Sequence, residues 1–206
     1  MTEAAPRRTA RGARTRERIL EAATEVFARR GLHGTRVSDI ADQAGIAYGL
    51  VYHHFHNKEE ILAAIYQERW GDYLDYLTEL RHAHLPFAER LAKLVHFLVE
   101  TYRHEPHLMT VMINEISRSY EFIESHDIGT MLVVFDAIED IVDQGKQAGQ
   151  IRADVDPKLV AYAVLGVAEM VLTGYVMGTL RRTAREEYTA DEQQLVALLL
   201  QGLATG

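Results

Sequence analysis

The stretch RVSDIADQAGIAYGLVYHHFHNKEEIL, Arg36 to Leu62, decides how this chain is read. Val37, Ile40, Ala41 and Ala44 recur at helical spacing. Gly45 follows at the place where a left-handed residue would end that helix. Ile46 to His53 is too short to be stable as an isolated helix, so its neighbours must hold it. Asn57-Lys-Glu-Glu60 has the pattern of a capping box and opens a further helix carrying Ile61, Leu62, Ile65 and Tyr66. Two helices joined by a glycine turn make a helix-turn-helix, with Val37, Ile40, Ala41, Val51 and Phe55 as its shared seam. Small Ala41, Ala44 and Ala47 let the two helices approach closely. Tyr48, Gly49, Tyr52, His53 and His54 are then left near the outer surface.

Such a surface suits a polyanion. Tyrosine hydroxyls, imidazole N–H groups and ammonium groups donate to phosphate oxygens. Flat rings also make apolar contact with thymine methyls in the major groove. Gly49 admits close backbone approach, and Lys58 sits in a first helical turn, where the helix dipole favours phosphate. Competing readings are partial packing of Tyr52 under the seam and a merely solvated Lys58. A histidine metal site is not expected. Only His53 and His56 share a helical face, with no cysteine or carboxylate at ligand spacing between them.

Upstream, Met1 to Arg14 has no periodicity and is expected to be a flexible basic leader, with order beginning near Thr15. Ile19, Ala23, Val26 and Phe27 share one helical face, Gly31 stops that helix, and Thr35 is the expected cap of the next. Downstream, Pro86 and Pro106 suit helix starts, and a helix over Ile128 to Ala148 is followed by Gly149. Asp156-Pro157 should open a helix running past Leu180. Thr189-Ala-Asp-Glu192 is a second capping-box candidate, before Leu195 to Leu203. No period-2 run stands out, so the expectation is an all-α chain of about nine helices. It would divide into a leader at 1–14, a helix-turn-helix domain at 15–60 and a helical bundle at 61–206.

The chain has 206 residues, 48% of them hydrophobic, enough for a sizeable core. The absence of cysteine excludes disulfides, cysteine metal clusters and a cysteine nucleophile. No apolar run is expected to reach the ~18–20 residues of a membrane span. With no secretory signal, a cytoplasmic protein is expected. The net charge of −8 hides an asymmetry: Met1 to Arg36 holds 9 Lys/Arg against 4 Asp/Glu, whereas the remainder is strongly acidic. One basic end on an acidic body fits a polyanion partner at that end.

The run RERILEAATEVFARRGLHGTRVSDIADQAGIAYGLVYHHFHNKEEILAAI, Arg16 to Ile65, resembles the DNA-binding domain of TetR-family transcriptional regulators. The resemblance rests on Phe27, Gly31, Thr35, Ile40, Ala41, Ala44, Gly45, Gly49, Val51, Tyr52, His54, Phe55, Lys58 and Leu62. It implies DNA contacts at Ser38, Tyr48, Gly49, Tyr52, His53, His54 and Lys58. Many relatives carry Ser where this chain has Ala47, so a phosphate-binding hydroxyl is missing there.

The resemblance further implies that the acidic remainder binds an effector and forms a homodimer through its last two long helices, on a palindromic operator. The small residues Ala161, Gly166, Ala168, Gly174 and Gly178 fit close helix packing. Tyr102, Met109, Met112, Ile113, Ile116, Phe122, Met131, Phe135 and Ile138 either line a greasy cavity or fill it. The segments Asn114 to Glu124 and Gly166 to Gly178 resemble those of acyl-CoA-responsive fatty-acid-degradation regulators. On that resemblance Arg118 would meet the anionic end of an acyl-CoA. A cationic drug-like compound paired with Glu115 or Glu169 is the alternative effector. No glycine-rich phosphate loop or paired metal-ligand spacing supports an enzyme, so no catalytic residue and no cofactor are expected.

Overall fold

The computed structural model describes residues 5–116 and 129–203. Nine α-helices occur among the described residues: α1 (Ala5–Gly34), α2 (Val37–Ala44), α3 (Tyr48–His54), α4 (Lys58–His82), α5 (Phe87–His104), α6 (Pro106–Val111), α7 (Gly129–Gln147), α8 (Pro157–Val176) and α9 (Arg185–Leu203). A π-helical turn, Met112–Ile116, continues α6. The all-helical expectation holds. The chain forms two compact units. The first takes in the described residues up to Trp70 and those from Thr110 through the π turn; the second takes Gly71–Met109 and α7 to α9.

In the first unit α1 packs on α2, α2 on α3, and the π turn on α1. Ile19, Ala23, Val26, Phe27, Ile40, Ala41, Val51, Phe55, Ile61, Leu62 and Ile65 are buried there, so the seam read from the sequence, apart from the half-buried Val37, lies in the core. Gly31 (φ 69°, ψ 166°) breaks α1 and Gly45 (φ 62°) ends α2. The Ile46 N–H closes that end on the Ala41 carbonyl at 3.1 Å. Two expectations fail here. Thr35 does not cap α2: its hydroxyl donates to the Gly31 carbonyl at 2.7 Å, and the cap position is Arg36, whose N–H donates to Asp39 at 2.9 Å. Order also starts earlier than the expected Thr15, because α1 already begins at Ala5. Alanine and arginine are strong helix formers, and extending an established helix avoids the cost of nucleation.

In the second unit α5 packs on α9, α7 and α8, and α7 packs on α8. Asp156 caps α8 as expected, accepting from the Lys158 and Leu159 N–H groups, with Pro157 in the first turn. However, α8 stops at Val176 instead of passing Leu180. Gly178 turns the chain with φ 68°, and the Thr179 and Leu180 N–H groups both donate to the Gly174 carbonyl at 3.0 Å. The next helix starts at Arg185, ahead of the expected Thr189. Glu187 sets this start by accepting from the Thr183 and Ala184 N–H groups at 2.7 and 3.0 Å. The expected absence of a span-length apolar run is also corrected. By length and composition α8 is apolar enough to cross a membrane, with a window of mean hydropathy 1.8. It places Val160, Ala161, Val164, Ala168 and Leu172 in the core and leaves another face exposed.

Candidate nucleic-acid interface

Tyr48 and Tyr52 lie one turn apart on α3 and are 53% and 45% exposed. Their rings meet edge to face with centroids 5.0 Å apart, and their hydroxyls share a hydrogen bond of 3.1 Å. That bond, helped by partial burial, raises the Tyr52 phenol above its ordinary value, so it keeps its proton at neutral pH. Both rings border an open groove of about 500 Å3. Thr35, Arg36, Val37 and Ser38 at the start of α2 form one side of it, and His56, Asn57, Lys58 and Glu59 at the start of α4 the other. Two helix starts and two phenols therefore share one concavity, an arrangement that favours an anion.

The start of α4 is fixed by side chains. Asn57 accepts from the Glu60 N–H at 2.7 Å, and Glu60 accepts in return from the His56 N–H at 2.6 Å. Lys58 is half-buried, and its ammonium donates to the carbonyls of Leu32, Thr35 and His33 at 2.7, 3.1 and 3.3 Å. A lysine ammonium has three donors. All of them serve the chain leaving α1, so Lys58 supplies charge to the groove while it ties α4 to α1.

His53 is exposed and His54 half-buried, with their rings edge to face at 5.3 Å. Burial, then the charges of His53 and Arg16, holds His54 below its ordinary value and so neutral near neutral pH. Arg16 lies over the Phe55 ring at 5.3 Å and pairs with Glu68. Ser38 and Gly49 are exposed. Two contributors were not nominated from sequence. Arg36 lines the groove, and Leu50 is exposed on α3 beside the rings. Arg36 was discoverable as the basic residue just before α2.

The described residues nominated for an effector fall in both compact units. Met109 and Ile138 are buried in the second unit, where Tyr102 packs against Tyr175 and Tyr188 at 5.2 and 6.3 Å. Phe135 stacks on the half-exposed Tyr162 at 4.3 Å. Met112 and Ile113 belong to the first unit. Arg118, Phe122 and the side chains of Glu115, Ile116 and Met131 lie outside the described residues. Glu169 is exposed, flanked by exposed Val167 and Met170, so its carboxylate needs no buried partner.

A helix-turn-helix core presenting a short aromatic helix beside two helix starts defines a DNA-binding regulator. Residues 19–65 match the signature described as "Bacterial regulatory proteins, tetR family". Residues 88–197 match the "Tetracyclin repressor-like, C-terminal domain". The chain belongs to the TetR family of bacterial transcriptional regulators. It is 32% identical over 165 residues to the transcriptional repressor KstR2 of Mycolicibacterium smegmatis, covering 76% of this chain and 77% of that one. It is 27% identical over 199 residues to the fatty acid metabolism regulator protein of Bacillus subtilis, covering 90% and 93%. The crystal structure of the regulator FadR from Bacillus subtilis in complex with stearoyl-CoA superposes with TM-score 0.78 at 26% identity, covering 90% of this chain and 98% of that one.

Proposed function

We propose that this chain is a cytoplasmic, ligand-responsive repressor that grips a palindromic operator as a homodimer and is released by an acyl-CoA or fatty acid. The observation that carries the DNA reading is the groove in which Tyr48 and Tyr52 face the starts of α2 and α4. Phosphate enters that groove. Ser38, Gly49, His53 and His54 extend the contact along the duplex, and Lys58 contributes its charge. The exposed apolar residues Leu159, Tyr162, Val167 and Met170 of α8, with Leu198 of α9, support pairing with a second copy. A symmetric pair sets its two reading helices about one duplex turn apart, ~34–36 Å. The effector class rests on the likeness to the regulator bound to stearoyl-CoA, which extends over nine-tenths of this chain. An effector that prefers a dimer of different spacing costs the complex contacts at both half-sites.

Operator fragments selected from random duplexes test this reading by gel shift, with acyl-CoAs of graded chain length added. Tyr48→Ala and Tyr52→Ala should each abolish the shift while helicity and dimer mass persist, and long-chain acyl-CoA should release the parent protein. Unchanged binding by both variants refutes the interface. A response flat in chain length refutes the effector class and leaves the interface standing.

A further inference from the structure

Away from the groove, α5 and α9 bring an imidazole and two carboxylates to one point. His96 and Glu100 lie one turn apart on α5, and Glu192 reaches them from α9. His96 Nδ1 is 2.9 Å from Glu192 Oε2, and one ligand atom from each of the three residues lies within 4.8 Å of the other two. Zinc held at ~2.0–2.2 Å by nitrogen and oxygen spaces neighbouring ligand atoms ~3.3 Å apart, so small rotamer changes close the set. The side chain of Glu192 is 13% exposed, so its carboxylate faces into the α5–α9 contact.

The surrounding charges fit this role. Burial acts to raise Glu100, but the hydrogen bond and charge of Arg103, with Arg185 and His96 nearby, outweigh it and hold the carboxyl below its ordinary value. Arg103 bonds Oε1 of Glu100, and it also rests over the Tyr188 ring at 5.5 Å. A hydrogen-bonded carboxylate of this kind is oriented for a metal by its outer partner. His104 Nε2 lies 3.3 Å from Oε2, on an exposed side chain that turns aside at little cost.

We propose that His96, Glu100 and Glu192 form a binding site for a divalent cation of the zinc class, clamping α9 to α5. One imidazole and two carboxylates give a neutral complex and leave one coordination position for water. The clamp fixes α9, the helix that carries the exposed Leu198. The site stands independently of the DNA and effector readings.

The test uses the full-length protein stripped with a chelator and titrated with zinc chloride by calorimetry. The expected result is one saturable site per chain, with a melting temperature that rises with zinc. His96→Ala and Glu192→Gln should each weaken binding about tenfold or more, while His33→Ala, in the other unit, leaves it unchanged. Circular dichroism in chelator checks that each variant folds, and His96→Asn replaces His96→Ala should the latter lose helicity. Cobalt(II) gives a second readout, a visible band present in the parent and lost in the variants. No saturable binding, or a loss equal in His33→Ala, overturns the proposal, the latter marking scattered surface imidazoles.

Discussion

Replacing Lys58 with methionine separates two roles for one side chain. The ammonium bonds the carbonyls of Leu32, His33 and Thr35, which follow the break in α1; the Leu32 carbonyl also accepts from the Thr35 N–H at 3.2 Å. A hydrogen bond to a charged group contributes ~1.5–3 kcal/mol net. One half-buried ammonium shared among three acceptors does not give three times that, so ~2 kcal/mol is the working figure for the set. Methionine keeps the aliphatic stem, so packing is conserved and the loss reports the polar contacts. For a chain of this size ~2 kcal/mol lowers the melting temperature by about 4–8 °C. Thermal melts followed by circular dichroism, paired with gel shifts, would show both a lower melting temperature and weaker operator binding. An unchanged melting temperature with lost operator binding would refute the reasoning, because Lys58 would then serve phosphate alone. Lys58→Arg should restore only part of the stability, since a planar guanidinium cannot reproduce a compact three-way donor.

At Gly174 an added Cβ would stand 2.7 Å from Leu180 Cδ1 and 2.9 Å from Cγ, so Gly174→Ala should cost about 1–3 kcal/mol in urea unfolding. Gly71→Ala in α4 meets nothing within 4 Å and should stabilise by about 1 kcal/mol. Asp191 takes a two-pronged bond from Arg182 at 2.7 and 3.0 Å and a third from the Tyr175 hydroxyl at 2.8 Å. The Arg182 bond, against some burial, holds its carboxyl below the usual range. A depressed folded value means the stabilisation is present above the unfolded value, near pH ~4, and is lost as pH falls further through the folded value. Unfolding measured between neutral and acid pH should therefore show a decline below pH ~4 that Asp191→Asn flattens.

Much of the fold was legible because the signals are local. Gly31 breaks one helix and Gly45 stops another, Asn57 and Glu60 start one, and Ile40, Val51 and Phe55 follow the helical period into the core. What was misread depends on partners distant in sequence or on competition between nearby ones. Thr35 has the chemistry of a cap, yet its hydroxyl found the Gly31 carbonyl while Arg36 took the cap position. The second capping box was placed at Thr189 because the pattern there is good, but Glu187 had already closed the turn at Thr183.

Residue order alone determined the helical class, the helix-turn-helix and the aromatic face of α3. Periodicity, glycine stops and capping chemistry act within a few residues and need no knowledge of the rest. Only the tertiary structure decided that Lys58 spends its donors on α1, that Glu169 faces outward, and that His96 meets Glu192 across almost a hundred residues. Each depends on which helix faces come together, and that is set by burying apolar surface over the whole unit, a sum no short stretch of sequence contains.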